Sequence, residues 1–569
     1  MKRLLLALLG SLAAAPLGAQ QSVTASDFRA RLPEDEVVYF LLPDRFENGD
    51  TRNDRGGIKG DRLKTGYDPT VGNFYHGGDL KGLTARLDYI QNLGATAIWV
   101  GPVFKNKPVQ GEPGQEGAGY HGYWTMDFTT VDPHFGTEAD FRTFVDGAHA
   151  RGMKVYMDII INHTADVIAY KECPASDCPY RSRADYPGAA YTPYIPKGQE
   201  HAKAPDWLND VSLYHNRGNT TYRGESMGMG DFVGLDDIKT EDPRVVNGFI
   251  DVFGNWIDRF KVDGFRIDTA KYVNPEFWTA FVPAMIARAK ADGIPNFHIF
   301  GEVASGDFEP ELSQVWTHIS GLPTNLDFAF RKAVELVVAG NGSPAVFDRL
   351  FAADALYKGG SATALQTPTF ISNHDLGRFA YFARKALPNE SMDDTLKRAE
   401  LANALMFVVR GVPVVYSGDE QGFIGHGDDQ AARQDMFASK VASYNDQPLL
   451  GTSSTTAQAN FDTAHPLYKQ IAMLAGLRRQ YPALRHGRQV LRNYDEAPGL
   501  LAISRIDTDG KEVLGVFNTA THPVSANIET DPKTAALVAL GGDCPAFPRL
   551  PGSFAVSLPP LSYMICVAR

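Results

Sequence analysis

The segment Val262-Asp-Gly-Phe-Arg-Ile-Asp-Thr-Ala-Lys271 places an arginine two residues before an aspartate at the end of a short apolar run. In a β-strand, residues i and i+2 point to the same side, so Arg266 and Asp268 should face one space. A guanidinium beside a carboxylate favours the ionised carboxylate. The pair alone also fits a structural ion bridge. Whether it belongs to an active site depends on the residues at the ends of the other strands.

The chain of 569 residues is longer than one hydrophobic core usually organises, which predicts two or three domains. Its net charge of -12 argues against a nucleic-acid partner and against an anionic membrane surface, because both need a basic face. The oligomeric state stays unknown at this level.

The amino terminus has the pattern of a secretory signal. Met1-Lys-Arg precedes an apolar run that ends in small residues at Gly18-Ala19. The run is shorter than the about 20 apolar residues that a membrane helix needs. We therefore expect residues 1–19 to be a signal peptide and the mature protein to be periplasmic or secreted.

Four cysteines accompany this signal, an even number that suits the oxidising compartment reached by export. We expect local pairing, Cys173 with Cys178 and Cys544 with Cys566, over the two crossed alternatives. Their spacing does not match the paired C-x-x-C pattern of a zinc site.

Apolar runs of strand length alternate with helical patterns along most of the chain. The helical stretch Pro243–Phe260 carries one apolar stripe, with Asp242 at its N-cap position. The strand-like runs are Val37–Leu42, Ala97–Val103, Lys154–Ile161, Val262–Ile267, His298–Val303, Pro368–Ser372 and Val412–Tyr416. This alternation predicts an α/β fold, a (β/α)₈ TIM barrel, whose remaining strand should lie near Asn325–Phe330.

Two regions break the alternation and predict further domains. Residues 164–241 hold no helix or strand period, which indicates a small domain inserted after the third strand. The barrel is then expected to span residues 20–163 and 242–485. Residues 486–569 should form an antiparallel β-sandwich, with strands at Leu500–Arg505, Glu512–Phe517, Phe554–Leu558 and Ser562–Val567.

Barrel chemistry lies at the carboxyl ends of the strands. Asp268, Glu302 and Asp375 each end a different predicted strand, so three carboxylates should converge on one mouth. Two imidazoles, an amide and an arginine accompany them: His163, His374, Asn162 and Arg266. Each residue alone also fits a helix cap or an ordinary polar contact, but the set together indicates an active site.

The strand ends resemble the signature segments of a known family. The matching stretches are Asp158–His163, Gly264–Lys271, Gly301–Val303 and Phe370–Asp375, with further likenesses at Tyr120–Trp124 and Val415–Glu420. They occur in the order and spacing of the α-amylase family of glycoside hydrolases (family thirteen). The resemblance covers essentially the whole mature chain and implies a barrel, an inserted domain and a C-terminal sandwich.

The resemblance implies a retaining glycosidase acting on α-glucosidic bonds. Asp268 matches the nucleophile, Glu302 the general acid/base, and Asp375 the third carboxylate. The chemistry agrees, because retention needs one ionised and one protonated carboxylate. Arg266 should keep Asp268 charged, while neighbouring negative charges should raise the pKa of Glu302.

Several residues match substrate-binding positions of the family. His163 and His374 match donors to the sugar at the cleavage point, and Tyr123 matches an aromatic stacking platform. Arg266 and Lys271 complete the expected substrate-binding set. Tyr272 stands where many amylases have histidine, on the leaving-group side, so the specificity there is open.

The expected reaction is hydrolysis of α-1,4 bonds in starch-type glucans or maltooligosaccharides. Cyclomaltodextrin hydrolysis, α-1,6 cleavage and glucanosyl transfer stay open, because loops set these preferences. Outside the enzyme class, a catalytically inactive glucan-binding scaffold is the alternative. Such a scaffold would lose the acidic trio, and this chain retains it.

An amino-terminal loop crowds oxygen donors together. The expected ligands of a Ca²⁺ ion are Asn48, Asp50, Asn53, Asp54, Gly77 and Asp79. An Asx-rich turn without a metal is the alternative. Some members of the family, especially those that act on cyclodextrins, carry calcium at the matching loop, and this resemblance favours the metal.

A second calcium of the family takes Asn162 and a residue from a segment that here reads Leu235-Asp-Asp-Ile-Lys239. Lysine stands where an oxygen ligand is expected, although another register would offer Asp237. Our hypothesis from the sequence is that the Lys239 ammonium replaces that cation as a fixed positive charge.

Overall fold

The computed structural model describes residues 28–175, 177–188, 190–425, 427 and 429–569. The predicted signal peptide, residues 1–19, lies outside the described residues. Eight parallel strands form one sheet: β1 Val38–Leu41, β2 Ala97–Val100, β3 Lys154–Ile159, β4 Gly264–Ile267, β5 His298–Gly301, β6 Thr324–Asn325, β7 Pro368–Phe370 and β8 Val412–Tyr416. Nearly every residue of these strands is buried, as strands covered on both faces require.

The sheet curls into an almost closed barrel. Its strand order is β6-β5-β4-β3-β2-β1-β8-β7, so β1 pairs with both β2 and β8. Between β6 and β7, the backbone N–H of Asp327 donates to the carbonyl of Pro368 at 2.9 Å. The predicted (β/α)₈ barrel is confirmed.

The prediction for the sixth strand is partly wrong. Only Thr324–Asn325 is a strand, and a helix occupies Phe328–Val334. Asp327 explains the early end of the strand, because its carboxylate accepts the N–H of Phe330 at 2.8 Å and caps the helix.

Long helices surround the barrel: α1 Glu138–Ala150, α2 Pro243–Phe260, α3 Pro275–Ala291, α4 Pro310–Ile319, α5 Phe379–Ala386, α6 Met392–Val408 and α7 Pro466–Gln480. Shorter helices are Pro43–Phe46, Arg62–Thr65, Leu80–Ala85, Leu87–Asn92, Phe328–Val334, Val346–Ala352, Ser361–Gln366, Asp429–Ala432, Ala442–Asn445 and Ala483–His486. Helix α2 has the predicted bounds, and Asp242 accepts the N–H of Arg244 at 2.8 Å as its N-cap. Within the described ranges, no helix is long and apolar enough to cross a membrane.

Small antiparallel pairs interrupt the barrel after β2 and after β3. After β2, the pairs are Phe104–Asn106 with Thr125–Val131 and Val109–Gln110 with Gly117–Ala118. After β3, the pairs are His163–Thr164 with Asp236–Asp237 and Ala169–Tyr170 with Pro193–Tyr194. The second group lies in the inserted stretch expected from the sequence, whose limits as a domain stay a prediction.

The carboxyl-terminal strands are β9 Arg488–Tyr494, β10 Leu500–Ile506, β11 Glu512–Asn518, β12 Val524–Glu529, β13 Leu537–Gly541, β14 Ser553–Leu558 and β15 Ser562–Ala568. They form a five-stranded antiparallel sheet, β9-β10-β11-β15-β13, and the pair β12–β14. Side chains of both sheets share one apolar core that includes Val516, Ile528 and Phe554. The predicted disulfides, Cys173–Cys178 and Cys544–Cys566, are both present.

Candidate active site

The strand ends bring the three predicted carboxylates to one cleft. The N–H of Asp268 donates to the carbonyl of Ile159, and the N–H of Glu302 donates to that of Ile267, both at 2.9 Å. These bonds extend the barrel ladder by one residue and fix both acids against neighbouring strands. Asp268, Glu302 and Asp375 line the same cavity of about 530 Å³.

Arg266 links two of these acids. Its Nη1 donates to Asp268 Oδ1 at 2.9 Å, and its Nη2 lies 2.9 Å from Glu302 Oε1. Nη1 also donates to Asp158 Oδ1 at 2.8 Å. The guanidinium is fully buried, so one cation serves three carboxylates with little help from water.

The buried acids differ from expectation in one respect. Burial, together with the charges of Asp268 and Asp375, raises the pKa of Glu302 to about 7 against the opposing effect of Arg266, in the expected direction. Burial also raises the pKa of Asp268 to about 7, because the opposing effect of Arg266 is smaller. Arg266 lowers the pKa of Asp268, as expected, but desolvation and the charges of Asp158 and Asp375 outweigh this effect. The protonation of the two acids is therefore coupled.

Thr269 joins the two acids through the backbone. Its φ is 45°, in the left-handed region that a β-branched residue rarely adopts. In this conformation its N–H donates to Glu302 Oε2 at 3.0 Å. Local strain here positions the second carboxylate beside the first, as is common at functional sites.

Asp375 reaches the cleft from the loop after β7 and remains 38% exposed. Its Oδ1 lies 2.9 Å from Nη2 of Arg433, whose Nε donates to the carbonyl of His374 at 2.9 Å. Arg433 also donates to the Tyr120 hydroxyl at 3.1 Å. The arginine thus fixes the third carboxylate while leaving part of it open to a ligand.

The imidazoles of the site are buried and neutral. Burial lowers the pKa of His163 to about 4, and its Nε2 has no hydrogen-bond partner among the described residues. Burial also lowers the pKa of His374, whose Nε2 lies 2.8 Å from the Tyr123 hydroxyl. Tyr123 in turn donates to Asp158 at 3.1 Å. His163 therefore offers a ring nitrogen to the cleft.

Lys271 and Tyr272 occupy the side of the cleft next to Glu302. The Lys271 ammonium donates to the carbonyl of Ala304 at 2.7 Å and is half-buried. Tyr272 packs edge-on against Phe232, with ring centroids 5.1 Å apart. An apolar aromatic wall therefore flanks the proton donor expected for the leaving group.

On the Arg433 side the cleft continues into a second cavity of about 280 Å³. Gln110, Trp124, Asp429 and Arg433 line both cavities. The Gln110 Oε1 atom is buried and has no hydrogen-bond partner within the described ranges. This side is an open, polar extension of the site.

Sequence reasoning assigned no role to Asp158, Arg433 or Gln110. Asp158 lies inside the third apolar run, Lys154–Ile161, and a charged residue within a strand buried on both faces is a signal that the strand-end rule overlooks. Gln110 lies in a two-residue strand and Arg433 directly follows a four-residue helix, and elements this short show no sequence period, so only the tertiary structure brings these residues to the cleft.

The amino-terminal loop has features that fit a metal ion. Among the described residues, no group of three or more His, Cys, Asp or Glu side chains forms a metal cluster. The amide oxygens Oδ1 of Asn48 and Asn53 are nevertheless buried without hydrogen-bond partners in that part of the chain. Their amide nitrogens donate to Asp54 at 2.9 Å and to Asp79 at 3.1 Å, respectively. Two orphaned oxygens beside two carboxylates form an oxygen-rich donor set that Ca²⁺ prefers.

Gly77 and Asp54 also favour a metal ion in this loop. A Cβ atom on Gly77 would lie 2.6 Å from Asn48 Nδ2, so the backbone approaches this loop closely. Burial raises the pKa of Asp54, and the charge of Asp79 raises it further. A bound cation would offset that repulsion.

Asp50 differs from the expectation. Its carboxylate pairs with Arg52 at 2.7 Å and with Lys81, both outside the loop interior. The side chain is therefore not among the donors, which leaves the backbone carbonyl of Asp50 as the group that it could offer.

The hypothesis for Lys239 is wrong. Its ammonium donates to the carbonyl of Ser212 at 2.8 Å, while Asn162 lies against His163. The buried ammonium of this region belongs to Lys203, which pairs with the Asp236 carboxylate. Asp237, the alternative ligand, accepts from His215 instead. Local spacing could not reveal this, because residue 203 is far from the segment in sequence.

A parallel (β/α)₈ barrel with three acids at the carboxyl ends of its strands has the fold and site of a barrel glycosidase. Residues 40–487 match the family model described as the α-amylase catalytic domain. The chain belongs to the α-amylase family.

Individual relatives agree with this assignment. An α-amylase of Streptomyces lividans is 45% identical over 495 residues, which cover 82% of this chain and 54% of the relative. The chain therefore spans about half the length of that protein. A solved Anoxybacillus α-amylase has a TM-score of 0.72 at 26% identity and covers 95% of this chain and 98% of its own. A Geobacillus thermoleovorans α-amylase complexed with acarbose has a TM-score of 0.70 at 26% identity, covering 95% and 99%.

Proposed function

We propose that the protein hydrolyses α-1,4-glucosidic bonds in starch-type glucans or maltooligosaccharides with retention of configuration. The observation that carries this proposal is the placement of Asp268 and Glu302 on two nitrogen atoms of one buried guanidinium, Arg266. Carboxylates held in this way lie close together, as a retaining pair must, and one proton is available to the pair.

In this mechanism Asp268 attacks the anomeric carbon, and Glu302 protonates the departing oxygen. Glu302 then takes a proton from the water that releases the sugar. Asp375 accepts sugar hydroxyls and counters the positive charge of the oxocarbenium-like transition state. The neutral rings of His163 and His374 and the Tyr123 ring surround the same sugar.

The two sides of the cleft have different roles. The leaving group departs toward Glu302, beside Lys271 and the aromatic wall of Tyr272 and Phe232. The second cavity touches neither Asp268 nor Glu302, so it suits the sugars on the opposite, glycone side. There Gln110 would accept a hydroxyl hydrogen bond through its unpaired amide oxygen. The Geobacillus relative crystallised with acarbose supports a glucan-like ligand.

We also propose that the amino-terminal loop binds Ca²⁺ through Asn48, Asn53, Asp54 and Asp79, with backbone carbonyls of Asp50 and Gly77. The ion would stabilise the loop and takes no part in the chemistry. Export to the periplasm or the medium accords with two disulfides and with the signal-like residues 1–19.

The function is tested by product analysis on starch, pullulan, cyclodextrins and maltotriose, with the anomer of the first product read by NMR. We expect α-anomeric maltooligosaccharides from starch. Beta-anomeric products would contradict retention, and sugars longer than the substrate or cyclic products would indicate transfer. Turnover confined to pullulan or to cyclodextrins would contradict the proposed starch-type or maltooligosaccharide substrate. A lack of turnover on all four, with starch binding retained, would indicate the inactive scaffold.

A further inference from the structure

A cavity of about 420 Å³ in the inserted region shares no lining residue with the catalytic cleft. Besides Tyr214, its titratable lining consists of four basic side chains, Arg183, His215, Arg217 and Lys239, and one carboxylic acid, Glu241. Such a concentration of cations is unexpected in a chain with a net charge of -12. The proposed reaction uses none of these residues.

Among the described residues, Arg217 and Lys239 have no carboxylate partner, and Arg217 is the more buried of the two. It is 7% exposed, and its guanidinium donates to the carbonyls of Arg181 at 2.9 Å, Tyr186 at 3.2 Å and Gly188 at 2.9 Å. No carboxylate pairs with it within the part of the chain that the structure describes. These three bonds use three of the five N–H groups of an arginine, which leaves donors for a ligand.

Lys239 is the second such cation. Its ammonium makes one hydrogen bond, to the carbonyl of Ser212 at 2.8 Å, and has two further N–H groups. Ser212 also lines the cavity. The residue that departs from the family pattern in sequence therefore adds positive charge to this cavity.

The remaining charges are paired and do not cancel these two. Arg183 pairs with Glu225 at 3.1 Å. His215 lies between Asp237, which it contacts through Nδ1, and Glu241, 3.1 Å from its Nε2. Burial lowers the pKa of His215, but the two carboxylates outweigh burial and raise it to about 9. The His215 ring is therefore positively charged, and the carboxylates of Asp237 and Glu241 pair with it.

We propose that this cavity binds phosphate, either the free ion or a phosphate monoester on a sugar. Arg217 offers planar N–H donors that suit phosphate oxygens, and Lys239 adds a point charge to the same cavity lining. A buried guanidinium held only by carbonyls is an uncompensated charge, which an anion would neutralise. The ligand would also join three chain segments that meet here, around Arg181–Gly188, Ser212 and Lys239.

Thermal unfolding and calorimetric titration of the full-length protein test this site. Inorganic phosphate and glucose 6-phosphate are the probes, with sodium chloride at matched ionic strength as reference. We expect a saturable rise in Tm with phosphate beyond that with chloride. Lys239→Gln should weaken phosphate affinity by at least about tenfold, as loss of a hydrogen bond to a charged group implies.

Lys197→Gln is the matched control, because Lys197 is exposed in the same inserted region and does not line the cavity. It should keep wild-type affinity. Phosphate also binds free Ca²⁺ in solution, and this effect is the same for wild type, Lys197→Gln and Lys239→Gln. A difference in phosphate response between the two variants therefore reports binding at the cavity. Tight binding of glucose 6-phosphate would identify a monoester site, and binding of inorganic phosphate alone an ion site. Equal phosphate responses in wild type and Lys239→Gln, or no response beyond chloride, would overturn the proposal.

Discussion

The Nη1 atom of Arg266 lies 2.9 Å from Oδ1 of Asp268, the residue that directly follows strand β4. The same guanidinium contacts Glu302 through its other terminal nitrogen. One buried cation therefore fixes the geometry of both acids, but it does not overcome their desolvation. Burial therefore raises the pKa of both acids, and their protonation is coupled.

Replacing either acid should abolish most turnover. Asp268→Asn removes the nucleophile, and Glu302→Gln removes the proton donor, for which a loss of about 10²–10⁴-fold is typical. The measurement is kcat on maltooligosaccharides, with circular dichroism as the check on folding. Asp158→Asn is a further comparison, because Asp158 supports Arg266 without reaching the cleft cavity. Near-normal hydrolysis by Asp268→Asn or Glu302→Gln would remove that residue from its role.

The dependence of kcat/KM on pH should be bell-shaped. Burial raises the pKa of both acids to about 7, and because they are coupled the two apparent pKa values should fall on either side of it. Activity is lost on the acid side as Asp268 gains a proton and on the alkaline side as Glu302 loses one. With α-maltosyl fluoride, whose leaving group needs little protonation, the alkaline limb should weaken. If the alkaline limb is unchanged with this substrate, it reports the titration of a group other than Glu302.

Arg433→Lys should impair the reaction without unfolding the barrel. Lysine keeps the charge, but its single nitrogen cannot occupy the three positions from which Nη2, Nε and Nη1 of Arg433 bond Asp375, His374 and Tyr120. Loss of the bond to a charged group costs about 1.5–3 kcal/mol, so kcat/KM should fall by about ten- to a hundredfold. Steady-state kinetics measure the effect, and an unchanged Tm verifies the fold. Wild-type kinetics would show that Asp375 needs no such support.

Gln110→Leu should weaken the binding of longer maltooligosaccharides. The side chain lines both cavities, and its Oε1 is unpaired in the structure. We expect KM for maltotetraose and longer substrates to rise about two- to tenfold, with kcat nearly unchanged. One neutral hydrogen bond contributes about 0.5–1.5 kcal/mol, which corresponds to this change. Gln115→Leu is the control from the same loop, since Gln115 lines only the outer cavity. Equal effects of the two variants would deny Gln110 a specific contact.

Removal of calcium should lower the Tm. A ligand present at 100 times its Kd stabilises by about 2.7 kcal/mol, and a chelator would withdraw that amount. Asn53→Ala should abolish the response, because it removes one orphaned oxygen. Asp50→Ala should retain it, because that carboxylate faces Arg52 and Lys81. A Tm indifferent to chelator in wild type would indicate an Asx-rich turn without metal.

Much of the fold follows from local pattern. Continuous apolar runs predict strands buried on both faces, and polar residues at their ends predict a shared mouth, because parallel strands align their carboxyl ends. The sixth strand escapes this reasoning because Asp327 begins a helix after only two strand residues. The local cysteine pairs are also decided by proximity in sequence.

What the sequence by itself determined was which residues meet: the period of apolar residues fixes the barrel, and the barrel fixes where Asp268, Glu302 and Asp375 converge. Only the tertiary structure decided their electrostatics, because the pKa of a carboxyl depends on burial and on charges from distant segments. For the same reason spacing could not assign Arg433 to Asp375, Lys203 to Asp236, or Lys239 to a cationic cavity with Arg217. These partners come from loops, whose paths are set by packing and not by a local period.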